Sequence, residues 1–132
     1  MKLNIKGSPR QLCWGMGALE GVCDELGISL QDLDNALVNN ETSVLNKLTY
    51  SALKNGAEIN DDSLDFNYKF FLNWLDEEPQ GTADQITNDF MNSKLLGKTM
   101  LERFDELIAR LSVNEDTTAI ASKKKSTRLV KS

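Results

Sequence analysis

The chain has 132 residues, a formal net charge of −5 and no histidine. That length gives one domain with a real core. The missing histidine removes the commonest general base and the commonest zinc ligand, and Cys13 and Cys23 alone cannot close a zinc site. Charge is uneven: residues 1–112 carry 10 basic and 18 acidic side chains, and residues 113–132 carry five basic and two acidic. Such a body repels nucleic acid, and the tail is too short and sparse to reverse that. No apolar run reaches the roughly 18 residues of a membrane span, and MKLNIKGSPR lacks the apolar core of a signal peptide. The expected location is the cytoplasm, with the two cysteines as buried thiols and no cofactor or metal.

In chain order, Lys2 to Lys6 alternates, with Leu3 and Ile5 on one side, and reads as a short strand or an extended arm. Ser8 is a good N-cap with Pro9 at N1 and Gln11 at N3, which predicts a helix from there to Leu26, closed by Gly27. Its apolar stripe is Leu12, Met16, Leu19, Cys23 and Leu26. Gly17 and Gly21 lie one turn apart and let a second helix backbone come close, inside the domain or in another copy. Self-association through that face is therefore one candidate interaction. With Gly15 they make no dinucleotide fingerprint, because no proper strand precedes them and they fall inside the helix.

Ser29 opens the second helix, with Asp32 at N3 and Leu30, Leu33, Ala36 and Leu37 facing inward, and Asn39-Asn40 ends it. Thr42 or Ser43 caps a third, with Val44, Leu45, Leu48, Ala52 and Leu53 apolar, and Gly56 as its stop. Asp61, Asp62 and Ser63 are expected to cap the fourth, which starts near Leu64. The acids Asp61, Asp62 and Asp65 read as a solvated helix start, since the rest of a calcium loop is missing.

The fourth helix is the aromatic one. Five of the chain's nine aromatic residues lie between Phe66 and Trp74. Leu64, Tyr68, Phe71 and Leu75 share one helical face, and Phe66, Phe70 and Trp74 step along a neighbouring one. The second set is either core or a partner-binding patch. Asp76, Glu77 and Glu78 oppose the dipole at its end, and Pro79 terminates it. Thr82 opens the last helix, with Gln85 completing a capping-box pattern and Gly97 marking a break into two. Its second part carries the stripe Leu101, Phe104, Ile108 and Leu111. Beyond Leu111 periodicity stops.

The expected fold is all-α with at most one short N-terminal strand, a compact bundle of about five helices over residues 1–111 with a disordered basic tail at 112–132. No Walker loop, EF-hand, nucleophile elbow or internal repeat is present in the sequence.

The order of features from Leu12 to Gly56, QLCWGMGALEGVCDELGISLQDLDNALVNNETSVLNKLTYSALKNG, followed by an acidic helix ending in WLDEEP, resembles tail assembly chaperones of long-tailed, siphovirus-like bacteriophages. The likeness covers roughly residues 3–78 and is one of pattern rather than invariant chemistry. It implies a mostly helical, non-enzymatic protein of the host cytoplasm that coats the tape measure protein and keeps it soluble until tail tube subunits polymerise around it. It also implies a longer form made by ribosomal frameshifting near the end of the reading frame, through which tail tube protein is recruited. Lys123, Lys124 and Lys125 lie where that frameshift region would fall, since consecutive lysines are encodable by a run of adenines. Two other classes stand beside this one. A small acidic adaptor or secretion-type chaperone unrelated to phage would have a different client. A carboxylate-based enzyme would show paired Asp or Glu in a deep cleft.

Overall fold

The computed structural model describes residues 1–110; the basic tail, Leu111 and Lys123–Lys125 lie outside the described residues. The described chain is mostly helical, 64% in six helices, with two small antiparallel sheets. The chain is thus mostly helical as expected but not purely all-α, since the expected N-terminal strand belongs to one of two hairpins.

The first sheet is a hairpin of β1 (Lys2–Ile5) and β2 (Ser8–Gln11), with Leu3 opposite Arg10 and Ile5 opposite Ser8. Lys6 and Gly7 both have positive φ, 54° and 76°, the left-handed pair that a two-residue turn between twisted strands needs. Leu3 and Ile5 are buried on the inner face. The expected capping pattern Ser8-Pro9-Gln11 is thus a strand. Pro9 is compatible with it because its side of β2 lies opposite Asn4 in the register, where the hairpin asks for no N–H.

The first helix begins later, at α1 (Met16–Leu26), and Leu12 and Cys13 precede it. Gly27 closes it with a left-handed φ of 66°, as expected. α2 (Leu30–Val38) starts as predicted: the Ser29 hydroxyl accepts from the Asp32 N–H at 3.1 Å. α3 (Thr42–Ile59) follows Glu41 without a side-chain cap, so neither Thr42 nor Ser43 caps it as expected, and it runs through Gly56, which is buried within it instead of ending it. α1 packs chiefly on α3. Ala18, Leu19 and Val22 of α1 and Leu48, Ala52 and Leu53 of α3 are all buried, and Leu33 of α2 is fully so.

α4 (Tyr68–Glu77) is capped by Asn67, whose side-chain oxygen accepts from the Phe70 N–H at 2.9 Å. Asp61, Asp62 and Ser63 therefore cap nothing, and Leu64 and Phe66 lie before the helix. A polar cap next to the aromatic run outweighs an acidic cluster one turn upstream, because only Asn67 reaches a free helix N–H. α5 (Thr82–Asn92) follows Gly81 without a side-chain cap, so the expected Thr82–Gln85 box is not formed. Gly97 does interrupt the last long helix. The interruption is a second hairpin, β3 (Lys94–Leu95) and β4 (Lys98–Thr99), turning on Leu96 and Gly97. Its base is closed by the Met100 N–H donating to the Ser93 carbonyl at 2.9 Å.

Residues 1–100 form one compact unit, and the described residues 101–110 belong to a second. The described part of the second, 101–110, is helical and contains Leu101, Phe104 and Ile108 of the expected stripe; the helix starts at residue 100. Among the described residues no helix is long and apolar enough to cross a membrane.

Candidate partner-binding surface

The aromatic run is organised by Tyr50 of α3. Its hydroxyl donates to the Phe66 carbonyl at 2.9 Å, which ties the chain just ahead of α4 to α3. The Tyr50 ring meets Phe66, Tyr68 and Phe71 at centroid distances of 6.1, 5.7 and 6.2 Å. Phe71 is fully buried and stacks on Trp74 at 6.0 Å. Burial pushes the Tyr50 phenol above its ordinary pKa, with the Glu25 carboxylate adding to the rise. Tyr68 is also raised by burial, while the nearby Lys47 ammonium pulls it back down.

The three aromatic candidates separate. Phe66 is taken into the core at 8% exposure, Trp74 is half-buried beside Phe71, and Phe70 stands 40% exposed. Phe66 and Phe70 touch at 5.8 Å, so only that pair forms a common surface. Cations from the hairpin cover it. Lys6 lies 5.4 Å over the Phe70 ring and Arg10 lies 5.2 Å over Phe66. Arg10 also pairs with Asp65 at 2.9 Å, and Lys6 donates to the Asp65 carbonyl at 3.0 Å. On the far side Lys47 lies 4.5 Å over Tyr68 and binds Glu25 at 2.7 Å. The bond to Glu25 holds the Lys47 ammonium above its usual pKa. Lys6 and Arg10 are not visible in a helical pattern, because the hairpin brings them from far back in the chain. The Lys6-Gly7 pair between alternating residues is the signal for that hairpin.

Gly17 and Gly21 are placed on α1 against α3. A Cβ at Gly17 would meet the Asn55 side chain, and one at Gly21 would meet the Ser51 hydroxyl, both at 2.6 Å. Those side chains are engaged across the contact: Ser51 donates to the Ala18 carbonyl at 2.8 Å and Asn55 to the Cys13 carbonyl at 3.0 Å. The close approach the glycines allow is therefore used by α3 of the same chain. A groove of about 130 Å³ runs along this contact, lined by Gly17, Gly21, Glu25, Lys54 and Glu58.

A larger cleft was not foreseen. It encloses about 550 Å³ between β2 and the C-terminal half of α3, with Leu53, Gly56 and Ala57 toward α3 and Pro9 and Gln11 toward β2. Ile59 and Leu64 also line it, and Ile59 is 65% exposed. Lys2 and Asp62 supply opposite charges. Cys13 lines it as well; both cysteines are half-buried free thiols, not fully buried as expected. Burial and the neighbouring Asp24, Asp34, Glu20 and Asp32 push the Cys23 thiol up, so it stays protonated near neutral pH. Among the described residues no group of three or more Cys, Asp or Glu side chains could hold a metal ion.

The geometry suits association: an open cleft of mixed polar and apolar lining, exposed Ile59 at its edge, and a cation-covered aromatic pair. Comparison with known proteins finds no matching family model, no matching curated protein and no matching solved structure for this chain.

Proposed function

We propose that this chain is a tail assembly chaperone of a long-tailed bacteriophage. It acts in the host cytoplasm without catalysis or cofactor. It binds the tape measure protein and keeps that long helical client soluble until the tail tube polymerises. The observation that carries this reading is the open cleft beside Ile59, where the half-buried Ala57 and Leu64 lie next to a side chain already in water. An exposed aliphatic side chain at the rim of a cleft gives a client's apolar stripe a place to dock. The feature order from Leu12 to Gly56 supports the same reading. A longer product, shifted in frame near Lys123–Lys125, would add the contact to tail tube protein.

The test is co-expression. The tape measure protein from the same genome should aggregate alone and should remain soluble, and co-purify, with this chain. Equal solubility with and without it, and no co-purification, would remove the function.

A further inference from the structure

The second hairpin carries an unusual residue at its tip. Four non-glycine residues among those described have positive φ: Lys6, Asn40, Asp61 and Leu96. Three are polar. Leu96, at φ 53°, is the apolar one. A two-residue turn with both residues left-handed favours Asn or Asp ahead of Gly, because a short polar side chain bonds the local backbone and relieves the strain. Leucine offers no such bond. Leu96 is also 82% exposed, more than any other large apolar side chain described. The hairpin is firmly seated all the same, with Leu95 at 4% and Met100 at 1% exposure. The left-handed backbone and the exposure therefore meet at one residue, Leu96, beside the buried Leu95. Lys94 and Lys98 flank it and are exposed, on a body whose residues 1–112 hold 18 acidic and 10 basic side chains.

We propose that the β3–β4 tip is an anchor for the client. Leu96 seats in the apolar stripe of an amphipathic helix, and Lys94 meets a carboxylate beside that stripe. This rests on the client-binding reading above. The turn already fixes the backbone of Leu96, so little backbone freedom is lost when it docks. The lysine favours an acidic flank and fixes which face of the helix is presented. An anionic membrane would also attract a leucine between lysines, but the acidic body opposes approach to such a surface.

The experiment compares the full chain with Leu96→Asn, Leu96→Met and Lys94→Glu, using the tape measure protein from the same genome as the probe. Leu96→Asn should fold at least as stably as the parent, because Asn suits the turn, yet its capture of the client should fall by about tenfold or more. Leu96→Met should keep capture. Lys94→Glu should weaken capture at low salt and much less at high salt. Undiminished capture by Leu96→Asn overturns the anchor. Failure of the parent chain itself to capture the client overturns the chaperone reading, and the anchor with it, so the two failures are told apart. Sedimentation of the parent, but not of Leu96→Asn, with phosphatidylglycerol vesicles would assign the tip to a membrane and overturn the client anchor.

Discussion

The carbonyl oxygen of Gln11 lies against Gly56 so closely that a Cβ at position 56 would stand 2.2 Å from it. This contact sets the distance between the first hairpin and α3. The obstacle is backbone, which cannot swing aside. Gly56→Ala should therefore destabilise the fold by about 1–3 kcal/mol, despite the roughly 1 kcal/mol that Ala gains over Gly in a helix. Urea unfolding checks this, and a midpoint at or above the parent's would contradict it.

Gly17→Ala and Gly21→Ala should behave differently. Each new methyl meets a side chain, Asn55 or Ser51, that can rotate away. The loss is one hydrogen bond to the Cys13 or Ala18 carbonyl, worth about 1 kcal/mol. Helix propensity returns about the same. Both variants should lie near the parent in urea. A large loss in either would mean that the α1–α3 approach is as unyielding there as at Gly56.

The aromatic run predicts a graded series. Phe71→Ala and Phe66→Ala empty buried sites and should each cost about 3–5 kcal/mol. Phe70→Ala removes a ring already 40% in water and should cost clearly less. Loss of client capture with retained stability would mark Phe70 as a contact residue. Equal destabilisation by Phe70→Ala and Phe71→Ala would make the whole run core.

The fold and the candidate surface were legible to different degrees. α2 was readable to its cap, because Ser29 and Asp32 act within four residues and nothing distant competes. The break at Gly97 was readable too, since its φ of 90° suits glycine. Ser8-Pro9-Gln11 misled because a good N-cap pattern says what could start a helix, not what pairs with β1. Asp61-Asp62-Ser63 misled in the same way, with Asn67 the better-placed acceptor. Gly56 read as a stop because its reason for being glycine, the Gln11 carbonyl, lies 45 positions away. The cleft beside Ile59 was invisible for the same cause: one wall is β2 and the other α3.

Alkaline pH should weaken the fold in a defined direction. Tyr50 and Tyr68 are raised above their ordinary value of 10.0, mainly by burial. Their stabilising contribution is fully present below the unfolded value. It is lost as pH climbs through that value toward the folded ones, because the unfolded chain releases those protons first. Thermal melts from pH 9 upward should show a falling midpoint, accompanied by late phenolate absorbance. Lys47→Met should raise Tyr68 further by removing the charge that lowers it, and should leave Tyr50 in place. Phenolate absorbance titrating at the free-tyrosine value while the chain stays folded would contradict the burial argument.

The start of the chain is held by residues that come much later. The Cys13 N–H donates to the Ala52 carbonyl at 3.1 Å and the Cys13 carbonyl accepts from Asn55. The Trp14 indole donates to Asp89 at 2.8 Å, and the Met1 ammonium pairs with the same carboxylate at 3.6 Å. On the ribosome, Cys13 and Trp14 leave the exit tunnel long before the α3 and α5 residues that hold them exist. Non-local closure of this kind is slow and leaves apolar chain open while it waits. Arrested nascent chains should remain cleavable by protease ahead of Met16 until Asp89 has emerged, and should become resistant once it has.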